Sequence, residues 1–214
     1  MPVSPVDFAS LLCSRLCHDL LSPVGALNNG LELLSDETDT EMRARVFELL
    51  TESARASANK LKFFRLAFGA AGGFGESVDT REAKAAIEGL LVDNKRIELG
   101  WFVESDALPK GAIKVLLNLT LIASEALVRG GTLSVGGEEN EGQLEIVVKI
   151  EGPRIVLDPE LRATLTDGER PGGVTPRAAA AYLVHTLAAE AGGAVQIVEP
   201  ADNVLILGAV FNAG

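Results

Sequence analysis

The 214 residues carry 30 Asp and Glu against 19 Lys and Arg, a net charge of −11, with only two His and two Cys. That acid surplus argues against nucleic acid as a partner, because such binding needs Lys and Arg to displace counterions, and 47% hydrophobic residues argues against a disordered acidic tail. Two Cys cannot staple a fold, so an intracellular, cytoplasmic protein is expected; together with two His they leave too few ligands for a zinc site, and no metal centre is expected.

The first ten residues hold Asp7 and lack a basic cluster, so no secretory leader is expected. Pro5 to Ser35 reads as one long helix. Cys13, Cys17, Leu20, Val24, Leu27, Leu31 and Leu34 recur at alternating steps of four and three, a heptad-like apolar seam. Ser35 to Asp39 is a polar break with capping residues. A second helix is expected from Thr40 to Phe68, with Phe47, Leu50, Ala54, Ser57, Leu61, Phe64 and Phe68 on the same rhythm. Each helix spans about 45 Å. A lone hairpin cannot bury both seams, so a homodimer forming a four-helix bundle is expected. On this reading Cys13 and Cys17 are small buried seam residues.

Gly69 ends the hairpin, and Ala70 to Gly75 reads as a flexible linker. The division expected is 1–70 for the hairpin, 71–77 for the linker and 78–214 for a second domain. There, Asp79-Thr80 caps a helix to about Asp93, Arg96 to Val103 is a strand, and Pro109 to Arg129 a buried helix. The apolar run Gly111 to Val128 is interrupted by Lys114, Asn118 and Glu125, so no membrane span is expected. Strands follow at Thr132 to Gly136 and Gln143 to Ile150, a helix at Thr175 to Ala191, and a hairpin at Ala194 to Val198 and Val204 to Phe211. This order implies an α/β sandwich with a mixed or antiparallel sheet. Residues 77–214 hold 20 acids and 12 bases, most of the acid surplus.

The sharpest local feature is Leu16-Cys17-His18-Asp19-Leu20-Leu21-Ser22-Pro23. His18 lies one step, about 100°, from seam residue Cys17 and is expected to face solvent. Its helical neighbours Ser14, Ser22 and Gly25 are small and leave room for a docked partner. Pro23 lacks a backbone donor, so a local kink is expected. An exposed neutral imidazole is a nucleophile able to carry a labile phosphoryl group. In a hairpin turning near residue 37, the position opposite His18 is about residue 57, within the small-residue stretch Ser53, Ala54, Ala56, Ser57 and Ala58. Arg55, Lys60, Lys62 and Arg65 on that half of the helix either steer a partner or form an ordinary solvated face. The second His, His185, reads as a packed or half-exposed residue of the late helix. Cys13, Cys17 and His18 lack both the spacing of a haem-attachment motif and the further ligands of a metal site.

His18, Asp19 and Pro23 resemble the phospho-acceptor box of sensor histidine kinases, His-Asp or His-Glu followed by Pro. The resemblance implies that His18 is phosphorylated and that Asp19 accepts a hydrogen bond from its ring or acts as a local base. Residues 77–214 resemble the Bergerat ATPase-like domain of those kinases in element order. Asn118 matches the first Asn of the nucleotide helix, while Ile122 stands where a metal-binding Asn belongs and Lys114 where an acid or His is usual. Ile150 replaces the adenine-reading Asp, Arg154 replaces a Gly, and Gly172-Gly173-Val174 is a poor match for the lid. The ATP-like domain is therefore read as degenerate, with no ATP and no bound metal, since an Ile cannot ligate Mg²⁺.

An acceptor hairpin joined to a degenerate kinase domain resembles the ChpT-type histidine phosphotransferases of alphaproteobacteria, on Leu16 to Leu34 and in architecture over nearly the whole chain. That resemblance implies a phosphorelay from the receiver domain of a CckA-type hybrid kinase, through His18, to CtrA-type and CpdR-type response regulators, with Mg²⁺ supplied by the receiver. Candidate docking residues are Ser14, Arg15, Ser22, Gly25, Asn28 and, across the hairpin, Ser57, with Asn29 beside them. The competing readings are a non-catalytic receiver-binding scaffold and an ATP-dependent histidine kinase.

Overall fold

Ser4 accepts a hydrogen bond from the backbone N–H of Asp7 and Pro5 occupies the first turn, which is why the first helix starts where it does. The structure is a computed structural model that describes residues 3–69, 76–92, 94–140, 142–168 and 173–212. Helix α1 runs Pro5–Asp36 and α2 Thr40–Ala67. Asp39 caps α2 through the Met42 N–H. The turn between them is closed by Arg43, whose Nη1 donates to the carbonyls of Leu34 (3.0 Å) and Glu37 (2.8 Å).

The apolar seam expected on α1 is not the face that packs inside the chain. Arg15, Pro23 and Gly30 are the buried residues of α1, and Val46, Ser53, Phe63, Phe64, Leu66 and Ala67 those of α2. Gly30 lets the helices approach closely, because a Cβ there would lie 2.8 Å from Leu50 Cδ2. Cys13 and Cys17 are exposed in the single chain, so its own packing does not bury them as expected of seam residues. Val24, Leu31, Phe47 and Leu61 of the two seams are exposed as well. The hairpin thus uses one stripe internally and leaves a second, apolar stripe uncovered.

Beyond the hairpin come β1 (Ser77–Asp79), α3 (Thr80–Leu91), β2 (Ile97–Val103), β3 (Ala107–Pro109), α4 (Lys110–Ala126), β4 (Gly131–Asn140), β5 (Gln143–Glu151), α5 (Pro159–Asp167), a 3₁₀ turn (Pro176–Ala178), α6 (Ala179–Glu190), β6 (Ala194–Ala201) and β7 (Val204–Asn212). Five strands form one mixed sheet in the order β2-β4-β5-β7-β6, with β2 and β4 parallel and the other pairs antiparallel. β5 and β7 alternate strictly. Leu144, Ile146, Val148 and Ile150, with Leu205, Leu207, Ala209 and Phe211, are buried on one face. Helix α4 packs on that side and is almost wholly buried.

Three elements were not expected from the sequence: β1 and β3, which pair with each other, and α5. Helix α4 ends at Ala126, not near Arg129, because Leu127 bridges Ile155 and the Val156 N–H takes the Ala126 carbonyl. Gly130 and Gly131 then turn the chain at φ +81° and +141°. A Cβ on Gly131 would lie 2.0 Å from the Glu151 carbonyl oxygen, so only glycine fits. The expected linker falls largely at 70–75, outside the described residues, while Ser77 already belongs to β1. Phe63, Phe64, Leu66 and Ala67 of α2 share one hydrophobic cluster with α4 and the sheet. The end of the hairpin is therefore built into the α/β core.

Candidate functional site

His18 projects from α1 with 84% of its side chain exposed. Its Nδ1 lies 3.0 Å from Asp19 Oδ1. A carboxylate only accepts, so this contact places the ring proton on Nδ1 in the neutral imidazole and leaves the lone pair on Nε2. The outer nitrogen is thus the nucleophilic one.

Asp19 is held from three directions. Arg15 Nε donates to Asp19 Oδ2 at 2.7 Å, one helical turn away. Arg15 Nη2 pairs with Glu125 of α4, and its Nη1 donates to the Arg177 carbonyl at 3.4 Å. Burial alone pulls the guanidinium pKa of Arg15 down, but the charges of Glu125 and Asp19 outweigh it and hold the pKa above the ordinary value. The third contact comes from Lys60 of α2, whose Nζ donates to the Asp19 backbone carbonyl at 2.9 Å. Pro23 explains that bond. It has no N–H to give the carbonyl four residues earlier, and that carbonyl belongs to Asp19. The proline of the motif frees an acceptor, the facing lysine fills it, and α1 continues unbroken through Pro23.

The expected docking residues divide. At 100° per residue, Ser14, Ser22, Gly25 and Asn29 lie within about 40° of His18, while Asn28 lies about 80° away, toward the exposed apolar stripe. Ser14, Ser22, Asn28 and Asn29 are exposed. Nothing lies within 4 Å of a Cβ built on Gly25, so the chain's own packing does not demand a glycine there. Glycine inside a helix costs about 1 kcal/mol relative to alanine. Arg15, expected on the docking face, is buried and fully engaged, because it bridges α1 to α4. Ser57 is half-buried and donates to the Ser53 carbonyl at 2.9 Å. The residue level with Asp19 is Lys60, one turn beyond the position expected opposite His18, and Arg65 pairs with Glu82.

Lys60 was expected to steer a partner or lie on a solvated face, and Glu125 was expected only to interrupt an apolar run; the structure ties both into the network around Asp19. Lys60 had a local signal in the carbonyl orphaned by Pro23. Glu125 lies 110 residues from Arg15 and had none. His185 is half-buried, with Nδ1 3.1 Å from the Leu165 carbonyl, as expected of a packing residue.

Ile122 and Ile150 are buried among apolar neighbours. Asn118 is buried and donates Nδ2 to the carbonyls of Ala67 (3.1 Å) and Lys114 (2.8 Å), tying α4 to the end of α2. Its amide is used for packing two parts of the chain together. Among the described residues no three His, Cys, Asp or Glu side chains cluster as a metal site, and no helix is long and apolar enough to cross a membrane.

The family model described as the histidine phosphotransferase C-terminal domain matches residues 80–203. Over 204 residues the chain is 35% identical to the protein phosphotransferase ChpT of Brucella abortus (strain 2308), covering 95% of each. The solved structure of a bacterial phosphotransferase superposes with a TM-score of 0.85 at 33% identity, over 98% of both chains.

Proposed function

The chain belongs to the histidine phosphotransferase family, and from that premise we propose that it is a phosphorelay intermediate in which His18 carries the phosphoryl group. The donor is the aspartyl phosphate of a hybrid kinase's receiver domain, of CckA type, and the acceptors are response regulators of CtrA and CpdR type. The observation that supports this reading is the exposed His18 with Nδ1 engaged by Asp19.

The chemistry follows from that geometry. The Nε2 lone pair attacks phosphorus, an N–P bond forms, and the P–O bond to the donor aspartate breaks with its carboxylate as leaving group. Positive charge develops on the ring, and Asp19 stabilises it through Nδ1–H without moving a proton. Onward transfer reverses these roles, the second receiver's carboxylate attacking as the N–P bond breaks. Mg²⁺ comes with the receiver, so this chain needs no metal of its own. Its contribution is a nucleophile held in one orientation on a rigid helix.

The test is labelled transfer without ATP. A phosphorylated receiver should pass label to the full chain as acid-labile phosphohistidine at His18, and a second receiver should then discharge it. Label appearing only with ATP and Mg²⁺, or at another residue, would overturn the reading.

The same reading makes the protein a cytoplasmic homodimer. Val24, Leu31, Phe47 and Leu61 are 43 to 59% exposed, and they continue the stripe of Cys13 and Cys17 along both helices. A second copy of the hairpin covers such a stripe on both chains at once, as a four-helix bundle. Sedimentation at about 10 μM should give a dimer for the native chain and a monomer for the Leu31→Glu, Leu61→Glu double variant, since each buried carboxylate costs several kcal/mol unpaired. A monomeric native chain would refute the dimer.

A further inference from the structure

Arg15 has two donors on one edge of its guanidinium, Nε and Nη2, the geometry that grips both oxygens of a single carboxylate. In this chain the two prongs are split. Nε takes Asp19 Oδ2 at 2.7 Å and Nη2 takes Glu125. Asp19 therefore keeps Oδ1 for His18 Nδ1, 3.0 Å away. We propose that Glu125, on helix α4 of the α/β domain, is a positioning residue for the phospho-acceptor: by occupying one prong of Arg15 it reserves an oxygen of Asp19 for His18.

The inference rests on His18 as the acceptor and adds a use for the domain that carries Glu125. With Glu125 gone, the buried Arg15 has one carboxylate left and closes on it with both prongs. Oδ1 is then drawn away from the imidazole. A neutral histidine without an acceptor at Nδ1 prefers its proton on Nε2, and in that tautomer the outer nitrogen is no nucleophile. Glu125 touches neither His18 nor the phosphoryl group; it acts through Arg15 and Asp19.

The test compares Glu125→Ala and Glu125→Gln in the full chain. Imidazole ¹⁵N spectra report the His18 tautomer, and steady-state transfer from a phosphorylated receiver reports kcat and KM. Glu125→Ala should move His18 toward the Nε2–H tautomer and lower kcat by about 10-fold or more with KM for the receiver unchanged. Glu125→Gln keeps an oxygen acceptor for Nη2 and should recover much of both. A native tautomer population in Glu125→Ala, or a loss confined to KM or to melting temperature, would refute the positioning role. Absence of label on His18 in the native chain defeats the functional reading instead, and the imidazole spectra still decide whether Glu125 sets the tautomer.

Discussion

The His18→Ala protein is expected to fold as the native chain does and to relay no phosphoryl group, a loss of at least about 10³-fold in transfer. The fold should survive because the imidazole is 84% exposed. Surface substitutions of that kind stay within about 0.5 kcal/mol. Asp19 keeps its bonds to Arg15 and Lys60, so the surrounding network does not collapse. The transfer should vanish because no other group stands in for the ring. His185 is half-buried against the Leu165 carbonyl, and a serine hydroxyl is a weak nucleophile unless a base activates it. The measurement is a two-receiver relay with His18→Ala, alongside receiver binding by the same variant. Retained binding with no relay assigns the chemistry to His18. A variant that still relays would move the chemistry to another residue and refute the assignment to His18.

The two long helices, the five-stranded sheet and the exposure of His18 were legible in the sequence because each rests on local signals. Caps at Ser4 and Asp39 bound the helices, alternation marks β5 and β7, and the spacing of His18, Asp19 and Pro23 marks the box. The stripe that closes the hairpin was not legible. Periodicity picked out Cys13, Val24 and Leu31, the most apolar line of α1, whereas the chain buries Arg15, Pro23 and Gly30. Hydropathy alone cannot rank two stripes when one of them is built from an ion pair and a glycine. A buried Arg is the least readable of all, because its partners decide its place. Asp19 was one turn away in sequence, but Glu125 came from a helix of the other domain. Short elements escaped for a related reason. β1 and β3 have three residues each, and pairing rather than pattern defines them. Asn118 was readable as a match to a nucleotide-box residue, but its hydrogen bond from α4 to the Ala67 carbonyl at the end of α2 was not.

Restoring the kinase-like residues should injure the protein rather than arm it. Ile150 lies on β5 between Leu133 of β4 and Leu205 of β7, all three buried. Ile150→Asp removes packed methyl groups, at about 2–5 kcal/mol, and puts a carboxyl where no donor waits. A total near 4 kcal/mol or more is a large share of the 5–15 kcal/mol that holds a typical domain together, and it corresponds to a fall in melting temperature of about 10 °C. The loss has a sign in pH. Burial raises the introduced carboxyl's pKa in the folded state above its unfolded value near 4, so the folded state holds a proton that the unfolded chain has released. The variant should therefore lose stability as pH rises from about 4 to 7, until the folded-state group also ionises. Adding Ile122→Asn places a second unsatisfied polar group in the same core. Thermal melts at pH 4.5 and 7 and titration with ATP and Mg²⁺ check both parts. The double variant should melt early at neutral pH and bind no nucleotide at millimolar ATP. A double variant that keeps its native melting temperature and binds ATP would show a nucleotide site intact but for two side chains. Destabilisation without binding would mean that the two isoleucines have become structural, with the core built around them.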